Sequence, residues 1–302
     1  MYLVGSDDGV YRVSTDGATQ VLESGRVKRL AQFDGAGVFA ATETGLYRRD
    51  GDEWVGLDVP EERVYAVEVG PDGKLYAGTR PSGVYVADSP ERPEWRDLPG
   101  FREIPSREDW RLPRHENLAQ VRDVHAFADD RLVVGVEVGG VHVSDDAGET
   151  WAERHDGVHD DTHELHAVSE SEYVSSTGFG LFRTDDAGRS WDRLDDGYDQ
   201  RYFRCAHAVD GVLYASAALA NSSTWEDEDA DPALFAYQNG ELRAVDTPFP
   251  TAVATGLTHD DGDLVAATHR GQLFVKRDDW ERLGSFPVSE QFTGRYTPVA
   301  VV

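Results

Sequence analysis

Leu75-Tyr76-Ala77-Gly78-Thr79 and, after a short loop, Gly83-Val84-Tyr85-Val86 form the stretch on which the reading of the fold turns. Apolar and small residues alternate up to a threonine. A glycine then opens a second run of apolar residues with an aromatic at its centre. Alternation with period two, rich in β-branched and aromatic residues, is the signature of paired strands. The same pair recurs as Val38-Phe39-Ala40-Ala41-Thr42 with Gly45-Leu46-Tyr47, as Tyr173 to Thr177 with Gly180-Leu181-Phe182, and as Leu264 to Thr268 with Gly271 to Phe274. No segment carries a helical period, so the class is all-β.

The aromatic of the second run, or its substitute, marks each unit: Tyr11, Tyr47, Tyr85, His142, Phe182, Phe235 and Phe274, with steps of 36, 38, 57, 40, 53 and 39 residues. Counting from Phe274 through the C-terminus and on from Met1 to Tyr11 gives 39 again. A fixed period of this size marks a propeller or solenoid. Met1 already begins a second-strand pattern, and Thr297-Pro298-Val299-Ala300-Val301-Val302 is an orphan apolar strand. The expectation is a seven-bladed β-propeller of four-stranded antiparallel blades over residues 1–302, its ring closed by the C-terminal strand joining the N-terminal blade. Closure removes open sheet edges. The two long steps hold insertions at about 99–118 and 219–232. Asp34-Gly35, Asp72-Gly73 and Asp210-Gly211 supply hairpin-turn chemistry.

Composition narrows the function classes. Of 302 residues, 57 are Asp or Glu and 29 are Lys or Arg, for a net charge of −28. Broad contact with a nucleic-acid backbone is not expected at that charge. Acidic residues are spread along the chain, and lysine occurs only at Lys28, Lys74 and Lys276. Such a surface suits molar salt, where carboxylate repulsion is screened, so a halophilic protein is expected. One cysteine, Cys205, leaves no disulfide framework and no multi-thiolate zinc site. It reads as a small buried residue. No apolar run approaches the ~18 residues of a membrane helix, and no signal sequence opens the chain. A cytoplasmic location without membrane contact is the expectation.

Two turns share a sharper pattern: Ser144-Asp145-Asp146-Ala147-Gly148-Glu149-Thr150-Trp151 and Thr184-Asp185-Asp186-Ala187-Gly188-Arg189-Ser190-Trp191. Both read Ser/Thr-x-Asp-x-Gly-x-Ser/Thr-Trp. They resemble the Asp-box (BNR) repeat of sialidase-like, sortilin-like and photosystem-assembly-factor propellers. Over the whole chain the pattern is similar to uncharacterised haloarchaeal Asp-box propellers. The expected role of the turns is structural, the carboxylate accepting N–H bonds within the turn. A calcium loop would need further ligands and a terminal Glu.

Second-to-third-strand loops and blade connections make the ligand face of a propeller. They offer Arg63, Arg80, Glu137, His163, Glu164, Arg201, Tyr202, His269, Arg295 and Tyr296 as candidate ligand-binding residues. Arg26, Arg63, Arg122, Arg201 and Arg295 recur near the innermost strands. A basic ring there would attract an anion; the preferred reading is that they pair with adjacent carboxylates such as Glu62 and Asp199 and keep blades apart. Innermost strands also align as Tyr65-Ala66-Val67, His125-Ala126-Phe127, His166-Ala167-Val168 and His207-Ala208-Val209. The repeated histidine is expected to bond between blades rather than bind metal. The loop cluster His155, His159, Asp160, Asp161 and His163 has metal-ligand residue types, but loop histidines and aspartates are ordinarily solvated. No metal and no cofactor is expected.

The resemblance to sialidases implies a glycoside hydrolase as one reading. Phe101-Arg102-Glu103-Ile104-Pro105 is similar to the early Phe/Tyr-Arg-Ile-Pro motif of that family, with one extra residue and inside an insertion. Tyr202 or Tyr296 beside Glu164 would stand for its nucleophilic pair. The preferred expectation is a non-catalytic binding or assembly module, with no catalytic residue assigned, that presents the loop-rich face to a protein or a small anionic ligand. Phe101, Trp110 and Trp225 are its candidate partner contacts, the alternative being that they fold back on the blades.

Overall fold

Each repeat folds as an antiparallel meander, because its alternating runs are short and its turns are rich in Asp-Gly. The second unit shows the plan: Val27–Phe33, Gly37–Thr42, Gly45–Asp50 and Glu53–Gly56 pair in sequence order. The computed structural model describes residues 1–290 and 294–302, and it contains seven such four-stranded sheets. They form an all-β, seven-bladed propeller. The innermost strands of blades 2 to 7 are Val27–Phe33, Val64–Val69, Gln120–Ala126, Thr162–Ala167, Tyr202–Val209 and Ala254–Asp260.

Blade 1 is completed from the other end of the chain. Val299–Val301 pairs antiparallel with Tyr2–Gly5, in the register Tyr2 to Val301, Leu3 to Ala300 and Val4 to Val299. The Met1 ammonium donates to the Val302 carbonyl at 2.8 Å. Space at this seam is tight: a Cβ on Gly5 would lie 2.7 Å from Val27 and 2.8 Å from Pro298. The ring closure expected from the orphan strand is therefore present.

The core lies in the seams between blades. Phe39, Phe203, Phe235, Val4 and Val265 are fully buried, each against the neighbouring sheet. Burial of one such side chain contributes ~1.5–3 kcal/mol. The hairpin turns follow their sequence signal. Asp210 and Gly211 both have positive φ, at 48° and 77°, the pair that a tight primed turn requires.

The insertions are wedges, which corrects their expected role as contacts. Residues 99–118 form three short helical turns, Pro99–Arg102, Pro105–Asp109 and Pro113–His115. Phe101 and Trp110 are buried, at 5.6 Å from one another, over His142, whose ring lies 4.9 Å from Trp110. His142 stands where the other blades carry an aromatic, and the wedge fills the space that it leaves. Burial holds its pKa down to about 3. Trp225, in the second insertion, is 1% exposed and packs 5.3 Å from His269. Large apolar rings gain more from the seams than from solvent, so none of the three presents a surface.

The two tryptophan turns share one hydrogen-bond plan. Asp186 Oδ1 accepts from Ser190 N–H at 2.9 Å and from the Thr184 hydroxyl at 2.8 Å, while its Oδ2 accepts from the Ser190 hydroxyl at 2.7 Å. Asp146 repeats this with Thr150 and Ser144. These bonds hold the Asp186 pKa down to about 2. Its contribution to stability is then present above about pH 4 and is lost as pH falls through about 2. Solvent screening at this exposed turn keeps the effect small. Asp186→Ala is expected to lower the thermal midpoint by about 2–4 °C at pH 7, with a clearly smaller difference from the parent at pH 2. A midpoint difference that persists undiminished at pH 2 would contradict this account.

Candidate functional site

The channel is built by a shared irregularity. The innermost strands of blades 2 to 7 each break register once, at the same height. The extra residues are Lys28, Tyr65, Arg122, His163, Arg204 and Thr255. A bulge leaves its extra residue outside the ladder and re-aims its side chain. Lys28, Tyr65, His163 and Arg204 line a cavity of about 300 Å³ at the loop-rich end. Tyr296 plugs its floor: its ring centre is 4.9 Å from Lys28 Nζ, 4.4 Å from the Arg122 guanidinium and 3.7 Å from that of Arg204. Cations from blades 2, 4 and 6 meet on one ring, which places Tyr296 at the axis.

The next residue of each strand forms the level below. Arg29 reaches across the channel to ion-pair with Asp123, and with Glu164 at 3.4 Å. Asp123 accepts the Leu165 N–H at 2.7 Å, and Glu164 that of Ala206 at 3.3 Å. Burial raises the Glu164 pKa despite Arg29.

Histidines occupy the lowest level, beside a second cavity of about 400 Å³. His125 Nε2 bonds the Leu165 carbonyl at 2.7 Å, His166 Nε2 accepts the Ala208 N–H at 3.1 Å, and His207 Nε2 meets His259 Nδ1 at 2.9 Å. Each bond joins one blade to the next, as the repeat predicts. Burial pulls His166 below its usual range and His207 to about 4. The fourth member of this level is Glu68 rather than Tyr65. Register pairs Glu68 with Tyr76 and His125 with Val133, so Tyr65 matches Arg122.

Five of the ten expected ligand residues meet at the upper cavity: Arg80, Glu137, His163, Tyr202 and Tyr296. The others do not. Arg63 pairs with Glu116 at the rim, Arg201 with Asp195, and Glu164 belongs to the level below. His269, fully buried, bonds Glu226 and so ties down the second insertion. Arg295, also fully buried, bonds the His269 carbonyl at 2.6 Å and Asp7 at 3.2 Å. Arg26, Arg63, Arg122, Arg201 and Arg295 form no free ring: each is ion-paired, as the preferred sequence reading has it, though with neither Glu62 nor Asp199. Positions 291–293 of the last expected connection lie outside the described residues.

Lys28, Arg204, Arg114 and His115 also line the cavity, and the sequence pattern does not single them out as site residues. A signal for Arg122, His163 and Arg204 existed: each stands three residues before a histidine of the aligned set. Arg204 and Arg80 have no carboxylate partner among the described residues. Arg204 bonds the Arg295 carbonyl, and Arg80 meets His115 Nδ1 at 3.0 Å with its Nε buried and unbonded. Burial lowers Arg204 to about 10, and it brings Lys28 to about 7 against the pull of Glu43 at 2.8 Å. Burial acts to raise Glu137 and Asp161, but Arg122 and His163 beside the first, and His163 and Arg114 beside the second, hold both below their usual range. Burial lifts Tyr202 to about 12. The arrangement is a half-closed cationic chamber.

No family model and no curated protein matches the chain. Solved structures match its fold. The extracellular domain of the hybrid two-component system BT3049 from B. thetaiotaomicron superposes with a TM-score of 0.67 at 14% identity, over 98% of this chain and 39% of that one. The GH74 xyloglucanase from Xanthomonas campestris gives 0.60 at 18%, over 94% and 47%. YCF48 bound to D1 peptide gives 0.60 at 12%, over 84% and 78%. This chain spans about a third to a half of the two-component-system and xyloglucanase chains. At these identities the likeness is one of fold alone.

Proposed function

We infer that the protein is a non-catalytic binding module of a salt-rich cytoplasm and that its upper chamber takes a small anionic group. The carrying observation is the pair Arg80 and Arg204, two cations at a cavity wall without carboxylate partners among the described residues. Buried guanidinium groups gain most from an oxyanion that satisfies their donors. Lys28 adds a third donor. The anion is free in solution or carried by a protein partner; the peptide held by YCF48, a propeller of like fold, supports the second form. Phe179, 56% exposed on a loop of the same face and stacked 4.2 Å from His159, is the apolar contact available to such a partner.

The hydrolase alternative draws less support. A glycosidase needs one carboxylic acid with a raised pKa. Glu43 and Glu137, the carboxylates that line the cavity, are both held low; Glu164, whose pKa burial raises, lies on the level below, ion-paired to Arg29; and Tyr202 is raised where a nucleophile needs lowering. Arg102 of the sialidase-like segment pairs with Asp97.

Thermal midpoints in molar KCl, with inorganic phosphate, citrate or a short acidic peptide added, test the reading. At least one anion is expected to raise the parent midpoint, and Arg204→Gln is expected to weaken its binding at least about tenfold by removing a charge-assisted bond of ~1.5–3 kcal/mol. Affinity is expected to fall as pH rises from about 6 to 8. Lys28, which faces Glu43, Tyr65, Tyr296, Arg26 and Arg122, loses its proton near 7 and with it one positive charge. Equal midpoint shifts in parent, Arg204→Gln and Arg80→Gln would overturn the reading.

A further inference from the structure

We propose that Glu137, Asp161 and His163 form a binding site for one divalent first-row transition-metal ion in the wall of the upper chamber. One ligand atom from each lies within 4.8 Å of the others. The three come from two neighbouring blades: Glu137 ends the second strand of blade 4, Asp161 precedes the first strand of blade 5, and His163 is that strand's bulge residue.

The histidine carries the argument. His163 Nδ1 lies 2.7 Å from the Phe203 carbonyl, an acceptor only, so Nδ1 carries a proton and Nε2 is the nitrogen placed to ligate. Nε2 faces the two carboxylates. Its side chain is 1% exposed, and Nε2 has no hydrogen-bond partner among the described residues. Asp161 Oδ1 is likewise buried and unbonded. A metal ion seated at a centre between the three groups would satisfy both unbonded atoms at once.

A proton is a poor fit for that centre. Nε2 and Asp161 Oδ2 are 3.6 Å apart, too far for a hydrogen bond. Metal–nitrogen and metal–oxygen bonds of ~2.0–2.2 Å place neighbouring ligands roughly 3–4 Å apart, which matches that spacing. One imidazole with two carboxylates suits manganese, iron, cobalt or zinc rather than magnesium or calcium. The Phe203 carbonyl supplies the outer partner that fixes the tautomer of metal-bound histidines. Arg122 steadies the site from behind: it donates twice to the His163 carbonyl, at 2.9 and 2.7 Å, and its third nitrogen lies 3.2 Å from Glu137. Arg114, 3.5 Å from the other Glu137 oxygen, opposes a cation, and so the site favours an ion that forms a strong bond to nitrogen. Of the loop cluster noted in the sequence, His155, His159 and Asp160 take no part.

The proposal is independent of anion binding in the chamber, and its test contains no anion but chloride. The purified protein is titrated with Co²⁺ in 2 M KCl with excess Mg²⁺, which occupies the many surface carboxylates. The expected result is one equivalent of Co²⁺ with visible absorption of nitrogen–oxygen coordination, weakened at least tenfold in Asp161→Asn and in Glu137→Gln and unchanged in His155→Ala. Nitrogen NMR of the parent protein keeps the proposal falsifiable should both variants fail to fold. The His163 ring-nitrogen signals are expected to be lost from the spectrum on addition of one equivalent of Co²⁺. Identical titrations of parent and variants, or His163 ring-nitrogen signals that Co²⁺ leaves unchanged, would overturn the site.

Discussion

Removal of residues 297–302 is expected to abolish cooperative folding. The strand lost is only Val299–Val301, yet it is the innermost strand of blade 1 and carries the seams on both sides. Val299 belongs to the apolar cluster shared with blade 7, and Ala300 to the one shared with blade 2. Leu3 and Val4, at 1% and 0% exposure, would lose their cover together with them. At ~1.5–3 kcal/mol for each side chain, the uncovered surface amounts to roughly 5–10 kcal/mol. The whole net stability of a domain is about 5–15 kcal/mol. The bared edge of Tyr2–Gly5 would also invite pairing between molecules. Loss of the sharp thermal transition, with aggregation, is the expected measurement.

A circular permutant separates closure from mere chain length. Met1 N and Val302 O are 2.8 Å apart, so a short linker joins the termini without strain. New termini at the exposed turn Asp50-Gly51 leave every seam intact. This permutant is expected to melt within a few degrees of the parent. A truncated chain that melts like the parent would show that the ring does not need its closing strand.

That closure was legible because it depends on counting. Seven aromatics at regular steps, with an orphan strand at one end and a missing strand at the other, fix a ring before any contact is known. The channel was less legible. Its residues are chosen by six bulges, and a bulge shifts register by one without a composition signal. Tyr65-Ala66-Val67 matches His125-Ala126-Phe127 by hydrophobic pattern, yet the ladder offsets them by three residues, and Glu68 takes the place beside His125. Lys28 and Arg204 were passed over for the same reason, while Arg201 and Arg295 drew notice from position alone. Glu137 and His163 were named individually, but their meeting with Asp161 depends on how two blades abut, which no local pattern encodes. The aromatic wedges were misread because large rings in polar inserts look like contact residues until the seam beneath them is seen.

Arg29→Met is expected to be the most damaging single substitution in the channel, lowering stability by ~3–5 kcal/mol. Arg29 is the counter-charge between Asp123, whose side chain is 3% exposed, and Glu164, at 20%. Removing it leaves two carboxylates in the channel interior with no cation between them, and an uncompensated buried charge of this kind costs about that much. For a chain of this length the thermal midpoint should fall by about 6–12 °C. The pH dependence distinguishes this cause from lost packing. Without Arg29, Glu164 loses the cation that opposes its burial and would titrate still further above its unfolded range. Between about pH 4 and that raised value the folded state then binds more protons than the unfolded chain, so stability falls as pH rises. The deficit should therefore be smaller at pH 5 than at pH 8. Asp123→Asn and Glu164→Gln added to Arg29→Met should recover most of the loss, since neutral amides keep the shape and remove the repulsion. A deficit equal at both pH values, and not recovered in the triple variant, would assign Arg29 to packing and deny the channel its electrostatic crossbar.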